Sequence, residues 1–148
     1  ALITGGVVYR IEKHAAGEGI PSYIMGIKEN NGKLPLSVTF AKFWAALATL
    51  ATFGNGGIVG PIGRVCAGVM SSLAGFFTKK TTFWSEDDQR TAAICGLAAT
   101  VGAVFHSSIG GGIFAVEIIK KAKMGYKDLF PSILSSSSAV SFCTLIPP

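Results

Sequence analysis

Charge is scarce in this sequence. Of its 148 residues only 14% are Asp, Glu, Lys or Arg, against 49% apolar, and the mean hydropathy is +0.51. Ordinary globular chains carry roughly 25% charged residues. A disordered or nucleic-acid-binding tail needs low hydrophobicity and dense charge, so that class is excluded. An ordinary soluble domain is disfavoured too, because few charges remain to cover its surface. The net charge of +5 is scattered between apolar blocks, which fits membrane-flanking loops and not a nucleic-acid footprint.

Cysteine pairs and catalytic motifs are also missing. Cys66, Cys95 and Cys143 stand far apart, each in an apolar stretch and with no CxxC pair. An odd, dispersed set argues against a disulfide framework, so all three read as buried small hydrophobes. No His/Cys/Asp/Glu spacing suits a metal, and no cofactor is expected. Gly54 to Arg64 lacks the GK[ST] of a phosphate loop, and Ile3-Thr4-Gly5-Gly6 lacks a GxGxxG continuation. Ser107 and Ser108 beside His106 do not make a nucleophile–base pair by adjacency. His106 reads instead as an internally hydrogen-bonded residue at a helix junction, and His14 as a loop residue. The protein is therefore not expected to be an enzyme, a soluble helical enzyme fragment being the weak alternative.

Glycine and long uncharged runs are what the sequence has in surplus. It holds 19 glycines, and no charge falls in Phe43–Gly63, Val65–Thr78, Thr91–Val116 or Leu129 to the end. A membrane-spanning helix needs roughly 20 mostly apolar residues, a length that the first, third and fourth runs reach. Gly54-Asn55-Gly56-Gly57 and Gly110-Gly111-Gly112 interrupt them. Small residues four apart recur at Gly68/Ser72, Ser71/Gly75 and Ala99/Ala103. Between helices in a bilayer, small residues permit the close approach that drives association. The fold class expected is all-α, a polytopic membrane protein with broken and re-entrant helices.

Helices are expected over Pro21–Glu29, Leu36–Phe53, Ile58 or Pro61 to Phe77, Glu86–Ala103, Ser108–Lys123 and Lys127–Leu145. Ser135-Ser136-Ser137-Ser138, set between apolar residues, reads as a small-residue packing face and not as a linker. The loop carrying Lys120, Lys121, Lys123 and Lys127 reads as cytoplasmic, with membrane lipid as a neighbour. An integral, multi-pass location follows, the cell membrane if the source is prokaryotic.

Two segments share a pattern: Gly17-Glu18-Gly19-Ile20-Pro21 and Gly57-Ile58-Val59-Gly60-Pro61. Each sets glycines and a proline at the start of an apolar helix. A helix N-terminus offers backbone N–H groups and a positive dipole end, a combination that binds anions. Transporter sites use broken-helix ends in this way. The same segments also read as plain tight turns of re-entrant loops.

These turns, their separation, and the stretch from Gly96 to Glu117 (GLAATVGAVFHSSIGGGIFAVE) resemble the CLC chloride channel and transporter family. That family has, in this order, GSGIP, G(K/R)EGP and GLAAAFNAPLAGxLFxxEE. The resemblance covers Gly17 to the end and corresponds to the middle of the family's N-terminal half. The 148 residues therefore read as a single segment of a longer protein, its C-terminal half missing. The resemblance implies voltage-gated chloride or other small-anion transport, an anion site at Gly17, Glu18, Gly19, Ile20, Pro21 and Gly57, Ile58, Val59, Gly60, Pro61, and a homodimer. It also implies that the last two helices lie near the dimer interface.

The departures matter as much. Glu18 stands at the serine that contacts the anion in the family, Val59 at the gating glutamate, and Ile118 at the internal proton-transfer glutamate; His106-Ser107-Ser108 replaces Asn-Ala-Pro. Neither Val59 nor Ile118 can carry a proton, so an uncoupled, channel-like anion pathway is expected. The same losses suggest the alternative of a non-transporting membrane sensor or assembly protein. Glu18 beside an anion would repel it by roughly 4 kcal/mol at about 4 Å and an effective ε near 20. It is therefore expected at the aqueous mouth, protonation or standing in for the anion being the other readings.

Overall fold

Five helices follow one another along the described residues: α1 (Leu36–Ala51), α2 (Val59–Lys80), α3 (Glu86–Phe105), α4 (Ser108–Lys120) and α5 (Tyr126–Leu145). The computed structural model describes residues 24, 34, 36–51, 57–80, 86–120 and 125–146. No strand occurs among them. The helix expected over Pro21–Glu29 lies outside the described residues except for Ile24, which is helical and packs on the core. The other five expected helices are present, with ends shifted by a few residues.

The hub is α3, which packs against α2, α4 and α5, while α1 packs on α2. Every residue from Ala93 to Ala98 is buried. A helix apolar all round, with no polar stripe to turn outward, sits at a centre. Its inner residues Ile94 and Leu97 meet Val116 and Ile119 of α4 in one core cluster with Ala67, Ala98, Val101 and Ala115. In α2, Gly63, Arg64, Ala67, Gly68, Ser71 and Ala74 are all buried. Steps of three and four place them on one helical face.

Size and polarity are distributed unlike a water-soluble core. Buried positions are mostly small or hydroxylic, including Ser71, Ser132 and Ser136, whereas Phe40, Trp44, Phe76, Phe105 and Phe130 are each at least 60% exposed. Bilayer helices associate in this manner: small residues face inward for close dispersion contact and large apolar ones meet lipid. Two glycines show how close. A Cβ on Gly96 would stand 2.6 Å from the Cys66 carbonyl oxygen, and one on Gly111 would stand 2.6 Å from the Gly102 nitrogen. Backbone touches backbone where α2 crosses α3 and where α3 crosses α4.

The serine tract behaves as a packing face. Ser132 and Ser136 have no exposed surface. Ser135 Oγ donates to the Cys95 carbonyl at 3.0 Å, and Ser136 Oγ donates to the Ser107 carbonyl at 3.3 Å.

Two expectations need correction. Of the cysteines only Cys95 is buried, Cys66 being half-buried and Cys143 exposed near the end of α5. His106 is exposed, not internal, and has φ 50°, a left-handed conformation that lets α3 turn into α4. Among the described residues one segment, Val59–Phe77, is long and apolar enough to cross a membrane, fewer than the uncharged runs suggest. The reason is composition: serines, threonines and glycines that pack the helices lower the apolarity of α3 and α5, whose first turns are also charged.

Candidate functional site

The second Gly–Pro turn lies at the start of α2, and the sequence explains why the helix begins there. Pro61 in the first turn needs no N–H and presets a helical φ. The first helical bond runs from the Ile62 N–H to the Ile58 carbonyl at 3.2 Å. Ile58 thus occupies the capping position, where Ser, Thr, Asp or Asn would ordinarily supply an acceptor. The first turn holds no acid. The N–H groups of Ile58, Val59 and Gly60 consequently meet no acceptor among the described residues.

A Cβ built on Gly57 would meet nothing within 4 Å, and Gly57 and Ile58 are both exposed. Gly60 and Pro61 are half-buried. Val59 is half-buried too and packs against the core cluster, so its side chain braces the helix start. The arrangement can offer N–H groups and a positive dipole to an anion. It offers no group that takes up a proton. Gly17, Glu18, Gly19, Ile20 and Pro21 lie outside the described residues. The structure therefore describes Gly57, Ile58, Val59, Gly60 and Pro61 together at one helix end.

One turn further on sits a residue that spacing arguments used only as a boundary. Arg64 is 4% exposed and is the one charged residue between Val59 and Phe77. The end of one uncharged run, Val59–Gly63, and the next run, Val65–Thr78, belong to a single helix. A charge inside an otherwise apolar span was the available signal.

A second polar assembly joins side chains of three helices, α3, α4 and α5. Asp128, in the first turn of α5 and 4% exposed, accepts from Lys120 Nζ of α4 and, at 2.7 Å, from Thr91 Oγ1 of α3. Burial alone would raise its carboxyl, but the hydrogen bonds from Lys120 and Thr91, aided by the charges of Lys120 and Arg90, hold it below the ordinary value. Beside it, Lys127 lies 3.8 Å from Asp88 on the surface. The lysine-rich loop announced a membrane edge; nothing in its spacing announced that its aspartate is buried, because Thr91 lies 37 residues away.

The exchanger position at the end of α4 is also described. Glu117 is exposed on the outer face, and Ile118 is half-buried against the core. Ile118 carries no titratable group.

Comparison with known proteins adds a lineage. The family described as voltage gated chloride channel matches residues 1–147. A curated relative, chloride channel protein CLC-c of Arabidopsis thaliana, is 32% identical over 114 residues, covering 70% of this chain. The chain spans 14% of that relative's length. No solved structure matches.

Proposed function

Because the chain belongs to the voltage gated chloride channel family, we propose that it forms part of a transmembrane chloride pathway that runs without proton coupling. The observation that carries this reading is the start of α2, whose first N–H groups meet no acceptor among the described residues, with Val59 where a gating carboxylate is expected. A chloride ion would be held by those N–H groups and the helix dipole. Exchange needs groups that take and release protons along the route. Val59 and Ile118 are aliphatic.

The protein in this reading is multi-pass, is not an enzyme, and carries no cofactor beyond the transported anion. It works as a homodimer together with further chain that supplies the rest of the pore. Ile109, Ile113 and Leu134 on α4 and α5 leave exposed apolar surface on the two helices expected near a partner subunit.

Reconstitution of the full-length protein tests the reading. Liposomes should release chloride down its gradient with no accompanying proton movement, and V59E should slow or gate that flux. Protons driven uphill by a chloride gradient would refute the uncoupled mechanism. Absence of any halide flux would favour the second reading, a non-transporting sensor or assembly protein, which the same two missing carboxylates support.

A further inference from the structure

The first turn of α5 sorts its side chains into two unlike faces. Tyr126 and Phe130, four residues apart and so on one side of the helix, are 91% and 68% exposed. Next to Tyr126, the Lys127 side chain is 71% exposed. Asp128 faces inward instead: it is buried and accepts from Lys120 and Thr91. The one acid between Lys120 and Phe130 is therefore withdrawn from the surface, with its charge already met. Lys127 stands 3.8 Å from Asp88, beyond hydrogen-bonding distance, so that pair leaves its donors unused. Lys121 and Lys123 complete a set of four lysines between Lys120 and Lys127. No charge occurs from Leu129 onward, which puts this turn at the boundary between uncharged helix and water. Tyrosine and lysine belong at head-group level, the apolar body toward acyl chains and the polar tip toward water. Four basic residues beside a membrane helix attract anionic lipid.

We propose that the start of α5 is a binding site for an anionic phospholipid, with Lys127 on the phosphate, Tyr126 at head-group level and Phe130 against the acyl chain. Lys121 and Lys123 add to the attraction. A lipid fits better than an acidic protein segment because Phe130 continues the lysine face into an uncharged helix. Each lysine near an anionic surface contributes about fivefold in affinity.

The test uses full-length protein in detergent, titrated with phosphatidylglycerol or phosphatidylcholine, native mass spectrometry counting the lipids that stay bound. Wild type should bind phosphatidylglycerol about tenfold or more tightly than phosphatidylcholine. K127Q should lower that preference about fivefold, and the triple variant K121Q/K123Q/K127Q should abolish it. F130A should weaken both lipids alike, because both carry acyl chains. Melting in phosphatidylcholine should be the same for K127Q and wild type, the side chain being exposed. Equal binding of the two lipids by wild type overturns the proposal, as when a second copy or an acidic protein segment covers Tyr126 and Lys127. A wild-type preference in K127Q overturns it too, and K127Q decides alone if the triple variant does not fold. F130A that binds both lipids like wild type overturns the acyl-chain contact. Displacement of phosphatidylglycerol by an equal concentration of inorganic phosphate overturns the lipid assignment in favour of free phosphate. The proposal rests on membrane placement and not on the chloride reading, so wild-type protein that passes no chloride sinks that reading alone.

Discussion

Replacing Asp128 by asparagine removes one charge and little else. The amide keeps the shape of the carboxylate and still accepts from Thr91, but Lys120 loses its counter-ion. Breaking a buried pair by removing one partner costs about 3–5 kcal/mol. Lys120 keeps 24% of its side chain exposed, so the lower end, about 3 kcal/mol, applies here. Thr91→Val deletes only a hydroxyl hydrogen bond and should cost about 1 kcal/mol. Melting of the detergent-solubilised full-length protein measures both. The pH dependence supplies a sharper check. The folded carboxyl is held below its ordinary value, so its contribution is full above that value and disappears as pH falls through the lower, folded one. The gap between wild type and D128N should therefore be complete above about pH 4 and close on further acidification, since protonated Asp and Asn are near-equivalent. A D128N protein that melts like wild type at neutral pH would refute the reasoning. So would a gap that persists unchanged to the acid limit of the assay.

Packing and exposure give two further expectations. Gly96→Val should abolish monodisperse protein, because the Cβ already stands 2.6 Å from the Cys66 carbonyl oxygen; Gly57→Ala should be tolerated, since nothing lies within 4 Å, and size-exclusion profiles separate the two. Under a maleimide in detergent, Cys143 should label promptly and Cys95 only after unfolding, which mass spectrometry reads directly.

Much of this fold was legible because glycine and charge mark it locally. Pro61 fixes the start of α2, the acids after Ser85 fix that of α3, and the His106–Ser108 stretch marks the α3–α4 turn. The serine tract could be recognised as a packing face from its apolar flanks. Facts that depend on distant residues could not be read. Asp128 is buried because Lys120 and Thr91 converge on it from two other helices. His106 is exposed because α3 ends in a left-handed turn, where an internal position was expected. Val59 was legible as a missing carboxylate, but its packing on the core depends on how α3 and α4 meet. Arg64 was legible as a charge inside the helix expected to run to Phe77, but its burial depends on how α2 packs on its neighbours.

The polar seam between α3 and α5 bears on proton coupling. Asp128, Ser132 and Ser136 follow one face of α5, all buried, and could be mistaken for a hydroxyl relay. A relay requires each hydroxyl to accept from one neighbour and donate to the next. Here Ser132 donates to the Asp128 carbonyl at 2.7 Å, Ser135 to the Cys95 carbonyl and Ser136 to the Ser107 carbonyl. Each proton ends on a backbone amide oxygen, which passes nothing onward. Water cannot bridge the steps at the Gly102–Gly111 crossing, where an added methyl would already collide with backbone. Arg64 stays protonated at any working pH and cannot substitute. The seam's hydroxyls therefore hold helices together, and among the described residues they form no proton relay.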